Sequence, residues 1–280
     1  MVLISILFCL ALQRFANVGG WFHPLWFDVY LKTLNPWLSK MDERLAILLV
    51  VIPILLALAL MHFVFIWRPL GLIVSTAILF FCIDARDLKY KLTSYFDSLD
   101  KADTHAAANA VADFISDDSI GNAADLSRAV SRAILLKSFE QIFVGLFWFM
   151  VGNIYGVITY FMIAHLRQSA LRINHNYIEL AKLAAKIQMV LEWLPARLLG
   201  FSYALVGNFN KGFGYFSKYV WSGPGEVKKF VVDSGLAALD VSPNAGDADQ
   251  SENRAILDII SRVLIVWLVG MMLVLVGIWL

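Results

Sequence analysis

The chain reads as an all-α, polytopic membrane protein with about four transmembrane helices, amphipathic interfacial helices and an aqueous helical loop region. Its 280 residues are 60% apolar and only 16% charged, with a mean hydropathy of +0.70, which no ordinary soluble globule shows. The apolar residues fall in runs long enough to cross a bilayer. A helix rises about 1.5 Å per residue and needs roughly 20 residues to cover about 30 Å of hydrocarbon, where backbone polar groups must pair internally. Lys and Arg total 23 against 22 for Asp and Glu, so there is no basic footprint for a phosphate backbone, and nucleic acid is excluded as a partner.

Val2 to Leu12 is too short to span, and Gln13-Arg14 follows it with no small-residue cleavage site, so a secretory signal is not expected. Trp21 to Phe27 is dense in aromatic rings, which favour the headgroup layer. The first span is Leu45 to Trp67, closed by Arg68-Pro69. The second is residues 69–83, a shorter helix entered through Pro69-Leu70-Gly71 and closed by Asp84. Residues 85–140 hold seven Asp residues between Asp97 and Asp125 in an Ala-rich helical background, and must be aqueous. The third span, residues 142–164, has Asn153 as its strongly polar interior group and Gly145, Gly152 and Gly156 spaced for close helix approach. Leu166 to Leu199 carries Ile178, Leu183, Ile187, Val190 and Leu194 at helical offsets beside Arg172, Lys182 and Lys186, an amphipathic helix on or beside the membrane. Phe201 to Trp221 is rich in Gly and aromatics, Asp233 to Asn253 reads as a mobile linker, and residues 263–280 form the last span. Basic residues flank the loops evenly, so charge does not set orientation; an even number of spans puts both termini on one face.

Cys9 and Cys82 lie in apolar runs, where a thiol behaves as a small hydrophobe. No Walker-type loop is present; Gly223 to Lys229 lacks its spacing and hydroxyl and reads as a solvated turn. His62 stands alone on an apolar helix and reads as a packed neutral imidazole. Asp84, Arg86 and Asp87 follow a membrane run, where carboxylates can hold a divalent ion; an interfacial charge cluster is the simpler account. His105 sits on a solvated face, and Lys137 with Glu140 at a three-residue offset forms a local ion pair.

The string Leu191-Glu192-Trp193-Leu194-Pro195-Ala196-Arg197-Leu198, with Leu146-Phe147, Gly152, Gly156 and Tyr203 to Gly207, resembles the AmpE/CobD superfamily of bacterial inner-membrane proteins. That resemblance implies a multi-pass inner-membrane location. It also offers two branches: CobD/CbiB proteins, which join an aminopropanol phosphate to adenosylcobyric acid in cobalamin synthesis, and AmpE proteins, linked to β-lactamase regulation and ampicillin resistance. The synthase branch carries an acid-rich pattern before the third span. Here Arg128 matches, but the two Glu positions are Arg132 and Leu136, the Asn is Lys137 and the closing Asp is Glu140. Leu166-Arg167-Gln168-Ser169 and Gln188-Met189 stand where the synthases have acids. Losing those oxygen anions removes the charge that would hold Mg²⁺.

The resemblance to AmpE therefore implies a non-enzymatic regulatory or sensor protein with neither cofactor nor metal. Its expected partners are the lipid bilayer and an anionic cell-envelope molecule or a cell-wall recycling protein. The expected ligand site is a cationic pocket of Arg128, Arg132, Lys137, Arg167 and Arg197, with Glu140, His23, Asp84, Arg86 and Asp87 as further binding candidates. The alternatives are a divergent adenosylcobinamide-phosphate synthase using Asp84, Asp87, Glu140 and Glu179, and a transporter or channel, for which Pro53, His62 and Asn153 are thin support.

Overall fold

The computed structural model describes residues 2–15, 25–38, 41–64, 68–83, 85–101, 103–112, 115, 123–173, 177–241 and 250–279. Among them every regular element is helical: α1 (Val2–Phe15), α2 (Leu25–Leu38), α3 (Glu43–Val64), α4 (Arg68–Cys82), α5 (Ala85–Asp100), α6 (Thr104–Val111), α7 (Ala123–Ser138), α8 (Val144–Ile173), α9 (Ile178–Val206), α10 (Phe209–Tyr219), α11 (Val227–Ala238) and α12 (Gln250–Trp279). A π turn at Phe139–Phe143 joins α7 to α8, and a 3₁₀ turn at Pro224–Glu226 precedes α11. The all-α membrane reading is thereby met. Three described stretches are long and apolar enough to cross a bilayer: Leu126–Arg167, Ile178–Val206 and Ser251–Val274. The chain divides into two compact units, residues 1–83 with 145–192, and residues 84–144 with 193–280.

In the first unit α1 packs on α4 and α2 on α3. Its core joins Phe27, Leu31 and Leu38 of α2 to Ile47 and Val50 of α3, Met162 and Leu166 of α8, and Leu180, Ala181 and Ala184 of α9. The three-and-four spacing within each set places it on one helix face. The Tyr30 hydroxyl ties α2 to α3 by donating to the Val50 carbonyl at 3.0 Å.

The third span is not a straight rod. Asn153 has φ 53 and ψ −143 within α8, and a Cβ on Gly156 would overlap the Trp148 carbonyl. Eight residues of straight helix separate two groups by about 12 Å, so α8 folds back on itself at Asn153. Gly156 therefore serves approach within its own helix, whereas Gly145 meets Ile83 from the end of α4, with Cγ1 3.2 Å from a built Cβ. The amphipathic helix read over Leu166 to Leu199 is divided between the end of α8 and most of α9. Its charges Glu179, Lys182 and Lys186 sit in the first turns, and Ile187 to Val206 carries only Glu192 and Arg197, both buried, so α9 has the apolar length to span.

In the second unit α7 packs against α5, α6, α11 and α12. Leu126, Val130, Ile134 and Leu135 form the buried stripe of α7, and Ile256, Ile259, Val263 and Trp267 that of α12. A polar seam crosses this core. Asn253 is fully buried; its amide donates to the Tyr95 hydroxyl at 3.2 Å and the Ser127 hydroxyl at 3.1 Å, and its carbonyl accepts from Ser131 at 2.6 Å. The mobile-linker reading of Asp233 to Asn253 fails at both ends. Residues through Ala238 belong to α11, where Leu236 and Ala238 are buried, and Gln250 opens α12. Residues 242–249 lie outside the described residues.

Candidate functional site

The most developed polar site lies in the second unit, where α10 and α11 form an antiparallel pair beside the C-terminal half of α9. Gly207 ends α9, and Asn208 caps α10 by accepting from the Lys211 amide at 3.3 Å. The Asn208 amide donates to the Ala238 carbonyl at 2.6 Å, tying the start of α10 to the end of α11. Gly212 lets α10 approach α9 closely, since a Cβ there would come within 2.9 Å of the Ala204 Cα. Fifteen residues from Asn208, at Gly223, the chain turns back into α11.

Arg197 holds that turn. Its Nε donates to the Val220 carbonyl at 2.8 Å, and its Nη2 to the Ser222 carbonyl at 2.6 Å and hydroxyl at 2.8 Å. Trp193 Nε1 reaches the same Ser222 carbonyl at 2.9 Å. The guanidinium lies over Phe230 at 4.3 Å and Trp193 at 4.9 Å, and the residue is 5% exposed. A buried cation needs acceptors with good geometry, and two carbonyls of a non-helical turn supply them.

Beside this clamp opens a cleft of about 140 Å³. Tyr215, Tyr219 and Phe230 form its aromatic wall, while Ser222, Glu226, Lys229 and Asp233 bring polar groups to it. The Tyr215 hydroxyl donates to Asp233 Oδ2 at 3.1 Å. Burial, and then the adjacent Asp233 carboxylate with Tyr219 and Glu226 behind it, holds the Tyr215 hydroxyl well above the usual tyrosine range.

In the first unit the buried Glu192 accepts from the Tyr160 hydroxyl at 2.9 Å and from Gln188 Nε2 at 2.6 Å. Gln188 thus occupies a position read as lost from an acid pair, and serves a carboxylate one turn on.

Of the residues singled out from sequence, Arg128, Arg132, Lys137, Glu140 and Arg197 belong to the second unit and Arg167 to the first. The expected ion pair of Lys137 with Glu140 is present at 3.8 Å, but Lys228 approaches the same carboxylate more closely, at 2.8 Å. Arg132 is exposed and Arg128 half-buried on α7. Arg197 is committed to the turn through Nε and Nη2, whereas the sequence placed it in an open cationic pocket. His23 and Asp84 lie outside the described residues; Arg86 and Asp87 sit in the first turn of α5, with side chains outside those described. Glu179 pairs with Lys182 at 2.7 Å on an exposed face. Among the described residues no three His, Cys, Asp or Glu side chains gather as a metal site, so the described carboxylates do not fit the phosphate-bound metal ion that the synthase pattern implies. Tyr215, Asp233 and Glu192 were not singled out from the sequence. The signal available was Gly223-Pro224-Gly225-Glu226, correctly a turn, but with nothing to show what it faces.

Comparison with known proteins places this architecture. The CobD/CbiB protein family model matches residues 6–256. The chain belongs to the CobD/CbiB family. A cobalamin biosynthesis protein CobD from Chromobacterium violaceum is 28% identical over 180 residues, 63% of this chain and 57% of that protein. Protein AmpE of Shigella flexneri is 26% identical over 152 residues, 52% of this chain and 51% of that protein. A further CobD, from Stutzerimonas stutzeri, is 27% identical over 139 residues, covering 49% of this chain and 46% of that protein. The matched stretch thus spans about half the length of these curated relatives. No solved structure matches. The superfamily read from the sequence is confirmed, and the chain is a multi-pass protein of the inner membrane. The AmpE branch is not favoured over CobD, since an AmpE relative matches but CobD relatives match at least as well. The expectation of a non-enzymatic protein is corrected by the same finding: the family model and the CobD relatives point to a biosynthetic enzyme. That expectation rested on lost carboxylates at a few positions, and a charge pattern in one stretch does not decide what the rest of a fold does.

Proposed function

We propose that the chain is a CobD/CbiB-type synthase of cobalamin biosynthesis, which joins the amine of an aminopropanol phosphate to a carboxyl group of adenosylcobyric acid. The observation that carries this is the family match over residues 6–256, together with CobD relatives that outnumber the AmpE relative. In support, both units hold buried or half-buried polar groups that pure packing would avoid: Glu192 with Tyr160 and Gln188 in one, and Asp233 with Tyr215 beside Arg197 in the other. Burying such groups is costly unless they are bonded, and Glu192 and Asp233 each accept from a tyrosine hydroxyl, that of Tyr160 and that of Tyr215.

The test is complementation of a bacterium lacking its own cobinamide-phosphate synthase, with the product followed by mass spectrometry. Restored corrinoid-dependent growth and an adenosylcobinamide phosphate peak are the expected result. A membrane-inserted chain that yields neither, or that instead restores an AmpE-deletion phenotype without corrinoid product, overturns the proposal.

A further inference from the structure

We propose that α10 is a membrane-inserted helix that does not span, with its aromatic face in one leaflet of a phospholipid bilayer and its lysine face toward headgroups and water. The first ground is the division of the helix. Phe209, Phe213, Phe216 and Val220 follow at offsets of four, three and four, which sets them on one face, and Lys211 and Lys218, seven apart, fall on the opposite one. The aromatic stripe is open: Phe209 is 49% and Phe213 39% exposed, and Trp221, just past the cap at Val220, is 84% exposed. Its rings form a continuous ridge, with centroids 5.2 Å apart for Phe209 and Phe213 and 6.0 Å apart for Phe213 and Phe216.

The second ground is continuity with a surface that already faces lipid. From its cap α10 runs back along α9: Gly212 lies against Ala204, the Phe216 ring is 5.7 Å from that of Phe201, and the Val220 carbonyl meets Arg197. On this half of α9, Leu194, Leu198, Phe201 and Leu205 form an exposed stripe, while Ala196, Leu199 and Tyr203 are buried behind it. Since α9 has the length and composition to cross the bilayer, the exposed stripe meets acyl chains. The Phe201 contact with Phe216 joins the two stripes into one surface. The 11 residues of α10 rise only about 16 Å, against about 30 Å of hydrocarbon, so the helix enters one leaflet and stops.

The third ground is the chemistry of its margin. Tyr219 and Trp221 close the helix, and rings with an apolar body and a polar handle favour the headgroup layer. A lysine face opposite phenylalanines is the composition of helices that lie at a membrane surface, and a lysine stem lets its ammonium reach that surface. Lys211 pairs with Asp240, and Lys218 Nζ lies 5.2 Å from the Tyr219 centroid. This inference is independent of the synthase reading.

The test uses full-length protein in phosphatidylcholine/phosphatidylglycerol nanodiscs. In a Cys9→Ala, Cys82→Ala background, nitroxides are attached at Phe213→Cys and Lys218→Cys. Power saturation compares their collisions with oxygen, which concentrates in hydrocarbon, and with a water-soluble nickel chelate. The label at 213 should favour oxygen, at about 5–10 Å below the headgroup boundary, and the label at 218 should favour nickel. In a second arm the wild-type chain is irradiated with a phosphatidylcholine bearing an acyl-chain diazirine, and adducts on Phe209, Phe213 or Phe216 are expected beside those on the exposed Leu273 of α12. Circular dichroism checks that the labelled variants fold, and the wild-type arm needs no substitution. Equal access of nickel to both labels places the stripe in water, and protection of the 213 label from oxygen and nickel alike places it under protein, a second copy included. Either result overturns the proposal, as do adducts on Leu273 with none on α10.

Discussion

Replacing Arg197 by Met tests whether the guanidinium organises the turn at Val220–Ser222. Met keeps most of the packing volume against Phe230 and Trp193 but removes three hydrogen bonds of 2.6–2.8 Å. Bonds from a charged donor contribute about 1.5–3 kcal/mol each. Relief from burying the charge offsets several kcal/mol of the sum, leaving a net local loss of about 2–4 kcal/mol. The effect should appear first at the turn, because Asn208 to Ala238 and the Gly212 contact hold the other end of the pair independently. Tryptic cleavage after Lys228 or Lys229 reads that opening. With cleavage slower than reclosing, a loss of this size accelerates it by roughly one to three orders of magnitude. Arg197→Lys should recover only part, as an ammonium cannot reproduce the planar fork. An Arg197→Met protein cut at the wild-type rate, with an unchanged thermal midpoint, would refute the clamp.

Within α10, Gly212→Ala should destabilise by about 1–3 kcal/mol because its Cβ meets the backbone of Ala204, whereas Gly214→Ala, with nothing within 4 Å, should stabilise by about 0.5–1 kcal/mol through helix propensity; denaturant midpoints compare them. At Asn153, whose φ of 53 is left-handed, Gly should be tolerated and Val should cost about 1–2 kcal/mol; equal midpoints for the two variants would show that the bend is not imposed by the backbone. The raised Tyr215 pKa gives a stability contribution fully present below the ordinary tyrosine value and lost as pH rises through the higher folded value. Alkaline titration followed at the tyrosinate absorbance should therefore lose a late component in Tyr215→Phe, and wild-type stability attributable to this group should stay level through neutral pH.

Apolar length named the membrane class and the helical class without help, because hydrocarbon imposes a requirement on each helix separately: α3 and the apolar part of α12 follow directly from their runs. The Gly223–Glu226 turn and the Lys137–Glu140 pair were equally legible, being local in sequence. Asn153 shows where locality ends. The run from Ile142 to Ala164 has the composition of a straight span, and the fold-back shows only in the Asn153 backbone angles and the approach of Gly156 to Trp148.

The sequence by itself determined that this chain lives in a membrane, that it is helical, and which superfamily its Pro195–Arg197 region belongs to. Tertiary structure alone decided that Arg197 binds carbonyls 23 and 25 residues away, that Asp233 lies on an ordered helix opposite Tyr215, and that Glu192 is buried between Tyr160 and Gln188. The physical reason is range. Burial in lipid and helix formation are set by a residue's own run of neighbours, whereas a polar group's function depends on partners that the chain brings to it only after it has folded.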